Sequence, residues 1–94
     1  MKRVYGLIVP DPVALLLRNM HPHLQRKVRA SLRLILEAPH AGKELKDELE
    51  GLRSFRVTRF RIIYRVRKDI VEIVAVGPRE RIYQETFRLL KKDK

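Results

Sequence analysis

The groups in this chain best suited to chemistry are its arginines. From Phe55 to Asp69 it reads FRVTRFRIIYRVRKD: Arg56, Arg59, Arg61, Arg65, Arg67 and Lys68 fall within fifteen residues, with one acid at the very end. A guanidinium is a planar, permanently cationic fork that grips phosphate or carboxylate through paired hydrogen bonds. Apolar residues alternate with these charges, the period of a half-buried strand. Phe60, Ile62, Tyr64 and Val66 face one way, and Arg61, Ile63, Arg65 and Arg67 the other. With Phe55 and Val57 also packed inward, Arg56, Arg61, Arg65 and Arg67 share an outer face on which unpartnered like charges repel. No acid lies between Gly51 and Lys68 to relieve them. A partner bringing negative charge removes that penalty. The plain alternative is a solvated face that blocks edge-to-edge association.

Other chemistry is sparse. Arg26, Lys27, Arg29 and Arg33 form a second basic stripe on a helix, a pattern also common on solvated helix faces. His21 and His23 flank a proline without a third ligand nearby, which suits a turn between helices better than a metal site. His40 is expected in a solvent-exposed loop. Ser31 and Ser54 have no histidine placed by a nucleophile motif, and the four glycines are too scattered for a phosphate-cradling loop. Glu44, Asp47, Glu48 and Glu50 lie among lysines, as in a solvated helical turn. Tyr83 stands i, i+4, i+7 with Phe87 and Leu90; that is the spacing of a core stripe, and it also allows the hydroxyl to face the basic surface. Neither a cofactor nor a metal is expected.

The 94 residues carry 22 Lys and Arg against 11 Asp and Glu, a formal charge of +11 and a pI near 10.7. Such a field attracts polyanions: nucleic acid or ribonucleoprotein first, an acidic protein second, an anionic membrane surface third. Apolar content of 45% is that of a globular chain, and the length fits one domain, residues 1–94, with a modest core. Without cysteine there is no thiol chemistry. The opening MKRVYGLIVPDP has a basic start, but its apolar run stops at Pro10, too short for a signal peptide. Nothing approaches the roughly twenty apolar residues of a membrane span. A soluble cytoplasmic protein with no membrane partner is expected.

The elements that must position these residues follow from periodicity and punctuation. Val4 to Val9 predicts a strand closed by Pro10, and Asp11–Pro12 predicts a helix start with Asp11 as the capping oxygen. A second helix runs from Pro22 to about Ala38, with Leu24, Val28, Leu32 and Ile35–Leu36 as its stripe. Pro39 to Gly51 is a connector with room for a helical turn. Strands flank a reversal at Thr58–Arg59, a tight hairpin falls at Arg67–Lys68–Asp69, and Ile70 to Gly77 reads as an inner strand because it is apolar on both faces. Glu80 to Lys91 predicts a final amphipathic helix. The order β-α-α-β-β-β-α is an α+β fold, with two N-terminal helices on one face of an antiparallel sheet and a C-terminal helix.

The run GKELKDELEGLRSFRVTRFRIIYRVRKDIVEIVAVGPRERIY resembles the RelE/ParE superfamily of toxin–antitoxin toxins, through GKELK before the first long strand, FRIIYRV, an apolar strand and GPRERIY in that order. The superfamily divides. RelE-type members cleave mRNA in the ribosomal A site, whereas ParE-type members inhibit DNA gyrase. The resemblance implies catalytic roles for Arg61, Arg79 and Tyr83. It implies RNA contacts for Arg56, Arg59, Arg65, Arg67 and Arg81, alongside the helical Arg26, Lys27, Arg29 and Arg33. It also implies mRNA and the ribosome, with 16S rRNA, as targets, and an acidic, partly disordered cognate antitoxin that wraps the toxin. Many relatives have Gly-Asp at the hairpin turn where this chain has Thr58–Arg59, and some nucleases have a lysine pair on the preceding strand where this chain has Arg56.

A metal-independent endoribonuclease needs attack by the 2′-OH, relief of charge on the phosphorane and a proton for the departing 5′-oxygen. Arginine suits the second task. With reference pKa values of about 10 for Tyr and above 12 for Arg, neither type moves protons readily near neutrality. Much of the acceleration must then come from holding RNA in attack geometry, which a ribosome presenting the message supplies. The residues leave two alternatives open: a gyrase inhibitor, and a non-catalytic RNA- or ribosome-binding module.

Overall fold

The structure, a computed structural model, describes residues 4–92. The basic start at Lys2 and Arg3 lies outside the described residues. Strand β1 (Gly6–Ile8) leads into α1 (Asp11–Arg18) and α2 (Pro22–Glu37). Then come β2 (Lys43–Glu44), a 3-10 turn (Asp47–Leu49), β3 (Arg53–Val57), β4 (Phe60–Arg67), β5 (Ile70–Pro78) and α3 (Ile82–Lys92). The expected order holds, with one strand added.

Proline sets both helix starts. At α1 the residue before the helix is Pro10 in extended backbone, and Asp11 occupies the first turn with no side-chain cap bond. Asp11 is therefore not the expected capping oxygen, although its charge still complements the positive helix end. At α2, His21 precedes Pro22 and its Nδ1 accepts from the His23 amide at 3.1 Å, so the histidine pair caps and opens α2 just after the turn between the helices. Val28, Leu32 and Ile35 bury the α2 stripe, with Leu24 and Leu36 half-buried beside it.

The sheet runs β1-β5-β4-β3-β2 and is mixed. β1 pairs parallel with β5, from Gly6 opposite Ile70 to Ile8 opposite Glu72, while the other pairings are antiparallel. That corrects the all-antiparallel expectation: the two helices carry the chain from β1 at one edge to β2 at the other, and the antiparallel steps back through β3 and β4 bring β5 alongside β1 in the same direction. β2 was hidden in the connector because two residues, Lys43 and Glu44, carry no period. Register passes from Ile63 opposite Ala75 to Tyr64 opposite Ile73, leaving Val74 as the extra residue of a bulge.

Two cores result. On one face Ile62, Tyr64, Val71 and Ile73 pack under α1 and α2 with Val28 and Ile35. On the other, a smaller cluster of Leu52, Ile63, Ala75 and Ile82 seats α3. Tyr64 is fully buried, and its hydroxyl donates to Pro39 O at 2.8 Å and accepts from Gly42 N at 2.9 Å. Burial pushes this phenol above its ordinary range, against the opposing pull of the Gly42 amide and the Arg53 charge. A Cβ at Gly42 would collide with the Tyr64 ring edge and hydroxyl, so only glycine fits there. Among the described residues no helix is long and apolar enough to cross a membrane.

Candidate nucleic-acid interface

Three elements meet on the α3 side of the sheet. β3 contributes Ser54, β4 contributes Arg61, and the first turn of α3 contributes Tyr83. The Ser54 and Tyr83 hydroxyls lie 3.1 Å apart, and Arg61 Nη1 donates to Ser54 Oγ at 3.5 Å, a long contact. Ser54 is 2% exposed, whereas Arg61 and Tyr83 are half-buried with one side open. Arg61 Nε is buried and has no hydrogen-bond partner among the described residues. An orphaned guanidinium donor costs free energy until an acceptor arrives. The arrangement offers two hydroxyls and a guanidinium with one unsatisfied donor.

Local packing explains why the cluster forms. Arg61 stands opposite Arg56 on β3 and opposite Gly77 on β5. Gly77 leaves room for α3: a Cβ there would lie 3.1 Å from Ile82 Cδ1. Ile82 and Thr86, both fully buried, anchor the helix, with the Thr86 hydroxyl donating to Ile82 O. The expected stripe of Tyr83, Phe87 and Leu90 is only half-buried and forms the flank of that anchor. Tyr83 does both things its spacing allowed, packing against the smaller core and turning its hydroxyl to Ser54.

The remaining arginines divide by position. Arg56 is exposed beside the cluster, its Nε donating to Thr58 O at 3.3 Å. Arg79 and Arg81 lie exposed in the turn into α3, their backbones fixed by Arg79 N to Arg59 O (2.9 Å) and Arg81 N to Pro78 O (3.0 Å). Arg59, at the tip of the β3–β4 turn, borders the same end. Arg65 is not an unpartnered charge, as the sequence led us to expect: its Nε holds Glu72 Oε1 at 2.7 Å across β4–β5. That hydrogen bond, helped by the Arg65 and Arg67 charges, holds the Glu72 carboxyl below its usual range. Arg67 sits six residues along β4 from Arg61, about 20 Å at strand rise. Arg26, Lys27, Arg29 and Arg33 are exposed on α2, in the layer across the sheet from Arg61. Two basic surfaces therefore exist, not one. Ser54 was set aside at the sequence level for want of a histidine. The signal available was its i, i+2 relation to Arg56, which puts a small polar residue on the arginine face.

A five-stranded mixed sheet with two helices on one face and a third at the other defines a small toxin fold of the RelE/ParE superfamily. A family model described as the ParE toxin of the type II toxin–antitoxin system parDE matches residues 18–83, and the chain belongs to that family. A double arginine-to-alanine mutant of the E. coli toxin RelE in the free state superposes with a TM-score of 0.75 at 17% identity, over 96% of this chain and 97% of that one. The toxin–antitoxin complex RelBE2 from Mycobacterium tuberculosis gives 0.72 at 25% identity, over 81% and 99%. The archaeal RelE–RelB complex from Pyrococcus horikoshii gives 0.68 at 21%, over 83% and 98%. A comparison with curated proteins found no significant sequence match.

Proposed function

We propose that this toxin is a ribosome-dependent mRNA endoribonuclease acting without a metal in the cytoplasm. The observation that supports it most is the Arg61–Ser54–Tyr83 cluster, with the Arg61 Nε donor buried and unsatisfied. In this reading the 2′-OH attacks the adjacent phosphorus, the P–O5′ bond breaks, and a 2′,3′-cyclic phosphate forms. The 2′-OH proton is lost and the 5′-oxygen gains one. Arg61 meets a non-bridging phosphate oxygen, Arg79 swings in from the turn as a second cation, and Ser54 holds the Tyr83 hydroxyl toward the scissile nucleotide. The ribosome fixes the message in attack geometry. The antitoxin partner is an acidic segment drawn to the +11 chain. A groove of about 650 Å³ at the β5 edge, where Leu16 and Leu89 are exposed beside Val74, is the apolar surface we assign to it.

The test is cleavage mapping of a defined mRNA with and without programmed ribosomes, using Arg61→Ala and Tyr83→Phe controls. The expected result is A-site cuts that require ribosomes and vanish in Arg61→Ala. The family match favours one second reading, inhibition of DNA gyrase. Intact message together with blocked supercoiling would move the assignment there.

A further inference from the structure

A second cavity, of about 320 Å³, lies at the opposite side of the β3–β4 turn from the Arg61 cluster, where the start of α2 meets the turn. Its walls are His21, His23, Lys27 and Arg59, with Leu24 and Phe60 half-buried and Thr58 completing the rim. The volume is at the lower end of small-ligand pockets, roughly 300–1,000 Å³.

Three features define what fits. First, the charge is of one sign. All seven lining residues come from two stretches, 12–36 and 51–68, that contain no Asp or Glu. Second, the imidazoles of His21 and His23 stack with centroids 5.4 Å apart and planes 7° from parallel. The His23 amide bond to His21 Nδ1 fixes that ring. A preorganised flat ring pair, in a cavity that Phe60 also lines, is a platform for a nucleobase. Third, Arg59 belongs to both sites: it lines this cavity while its carbonyl holds the amide of Arg79 at 2.9 Å. The turn is thus a ridge between two cationic surfaces.

We propose that this cavity holds one nucleotide of a single-stranded RNA, the base against the His21–His23 rings and the phosphate at Lys27 and Arg59. Cations alone would equally suit an acidic peptide; the ring platform favours RNA. The proposal rests on the reading that the chain acts on RNA and extends the RNA path around the turn to the helical layer.

The experiment measures binding of a fluorescein-labelled, uncleavable 2′-O-methyl RNA ten-mer to the full chain, with thermal melts confirming each variant's fold. His21 is left intact because it caps α2. We expect His23→Ala/Lys27→Ala to weaken binding about tenfold and Arg18→Ala, an exposed charge outside the cavity, by less than twofold. His23→Phe should keep most of the affinity. A double variant that binds RNA no worse than Arg18→Ala overturns the proposal. So does one that loses only an acidic peptide, since the occupant is then a protein. If cavity variants lose RNA while wild type cuts no message, the site stands and the nuclease reading falls. If wild type cuts and the cavity variants bind and cut equally well, the site falls and the nuclease reading stands.

Discussion

The two faces of β4 come from alternate residues of one strand and have opposite fates. Ile62 and Tyr64 point under α1 and α2 and lose all contact with water. Arg61 and Arg65 point toward α3, which covers only part of that face and leaves them half-exposed. The first face is closed by apolar contact. The second has the buried Ile63 of the smaller core at its middle and polar contacts on either side, of which one is complete (Arg65–Glu72) and one is not (Arg61 Nε). A strand can thus carry stability alone on one face and both stability and reactivity on the other, provided a helix shields Ile63 and leaves the flanking arginines partly open.

That division is broken most directly by adjacent substitutions. Arg61→Ala should lower ribosome-dependent cleavage ~10²–10³-fold while leaving the melting temperature nearly unchanged. Ile62→Ala should do the reverse, costing ~2–5 kcal/mol in denaturant titration through lost burial and a cavity. If both variants lose stability alike, the separation of faces is wrong. Next in size is Tyr64→Phe, which removes the one polar atom that the dry face must satisfy. The buried Gly42 N–H and Pro39 C=O then lose their partner, and urea unfolding should report a loss of ~1–3 kcal/mol without a change in cleavage.

Thr58 sharpens the comparison from the turn that joins β3 to β4. It has φ 54, a left-handed backbone that a β-branched residue resists. Thr58→Gly should relieve ~1–3 kcal/mol of strain, less the added freedom of the unfolded chain, for a net gain near ~1 kcal/mol in thermal melts. The smallest effect concerns the completed contact on the polar face. Glu72 is held below its ordinary value of 4.5, so the stability it lends is fully present above that pH and is lost as pH falls through the folded-state value. Glu72→Gln should flatten the acid limb of a stability–pH curve by no more than ~1 kcal/mol, the scale of a partly exposed ion pair.

How much of this the sequence announced depends on range. The alternation in FRIIYRVR placed the β4 side chains on their faces, and Pro12, Pro22 and the α2 stripe placed the helices, because each signal is local. The parallel direction of β1, the two-residue β2 and the bulge at Val74 were not legible, since partner, direction and register are settled by tertiary packing. The site divides in the same way. Arg61 and Tyr83 stood out by type and by resemblance. Ser54 did not, because its role depends on neighbours 7 and 29 residues away. The salt bridge that neutralises Arg65 was hidden for the same reason: its acid lies on the next strand.

The pairing of β1 with β5 bears on how the chain is made. Gly6 and Ile70 are neighbours in the sheet but sixty-four residues apart in the sequence. During synthesis, the first strand to leave the ribosome is among the last to find its place, because its seat does not exist until β5 has been translated. Contacts of such long range close slowly, whereas β3, β4 and β5 zip through adjacent hairpins. The arginine-bearing strands therefore assemble from neighbours, while the amino-terminal edge waits, joined to them through two helices, for a partner not yet built.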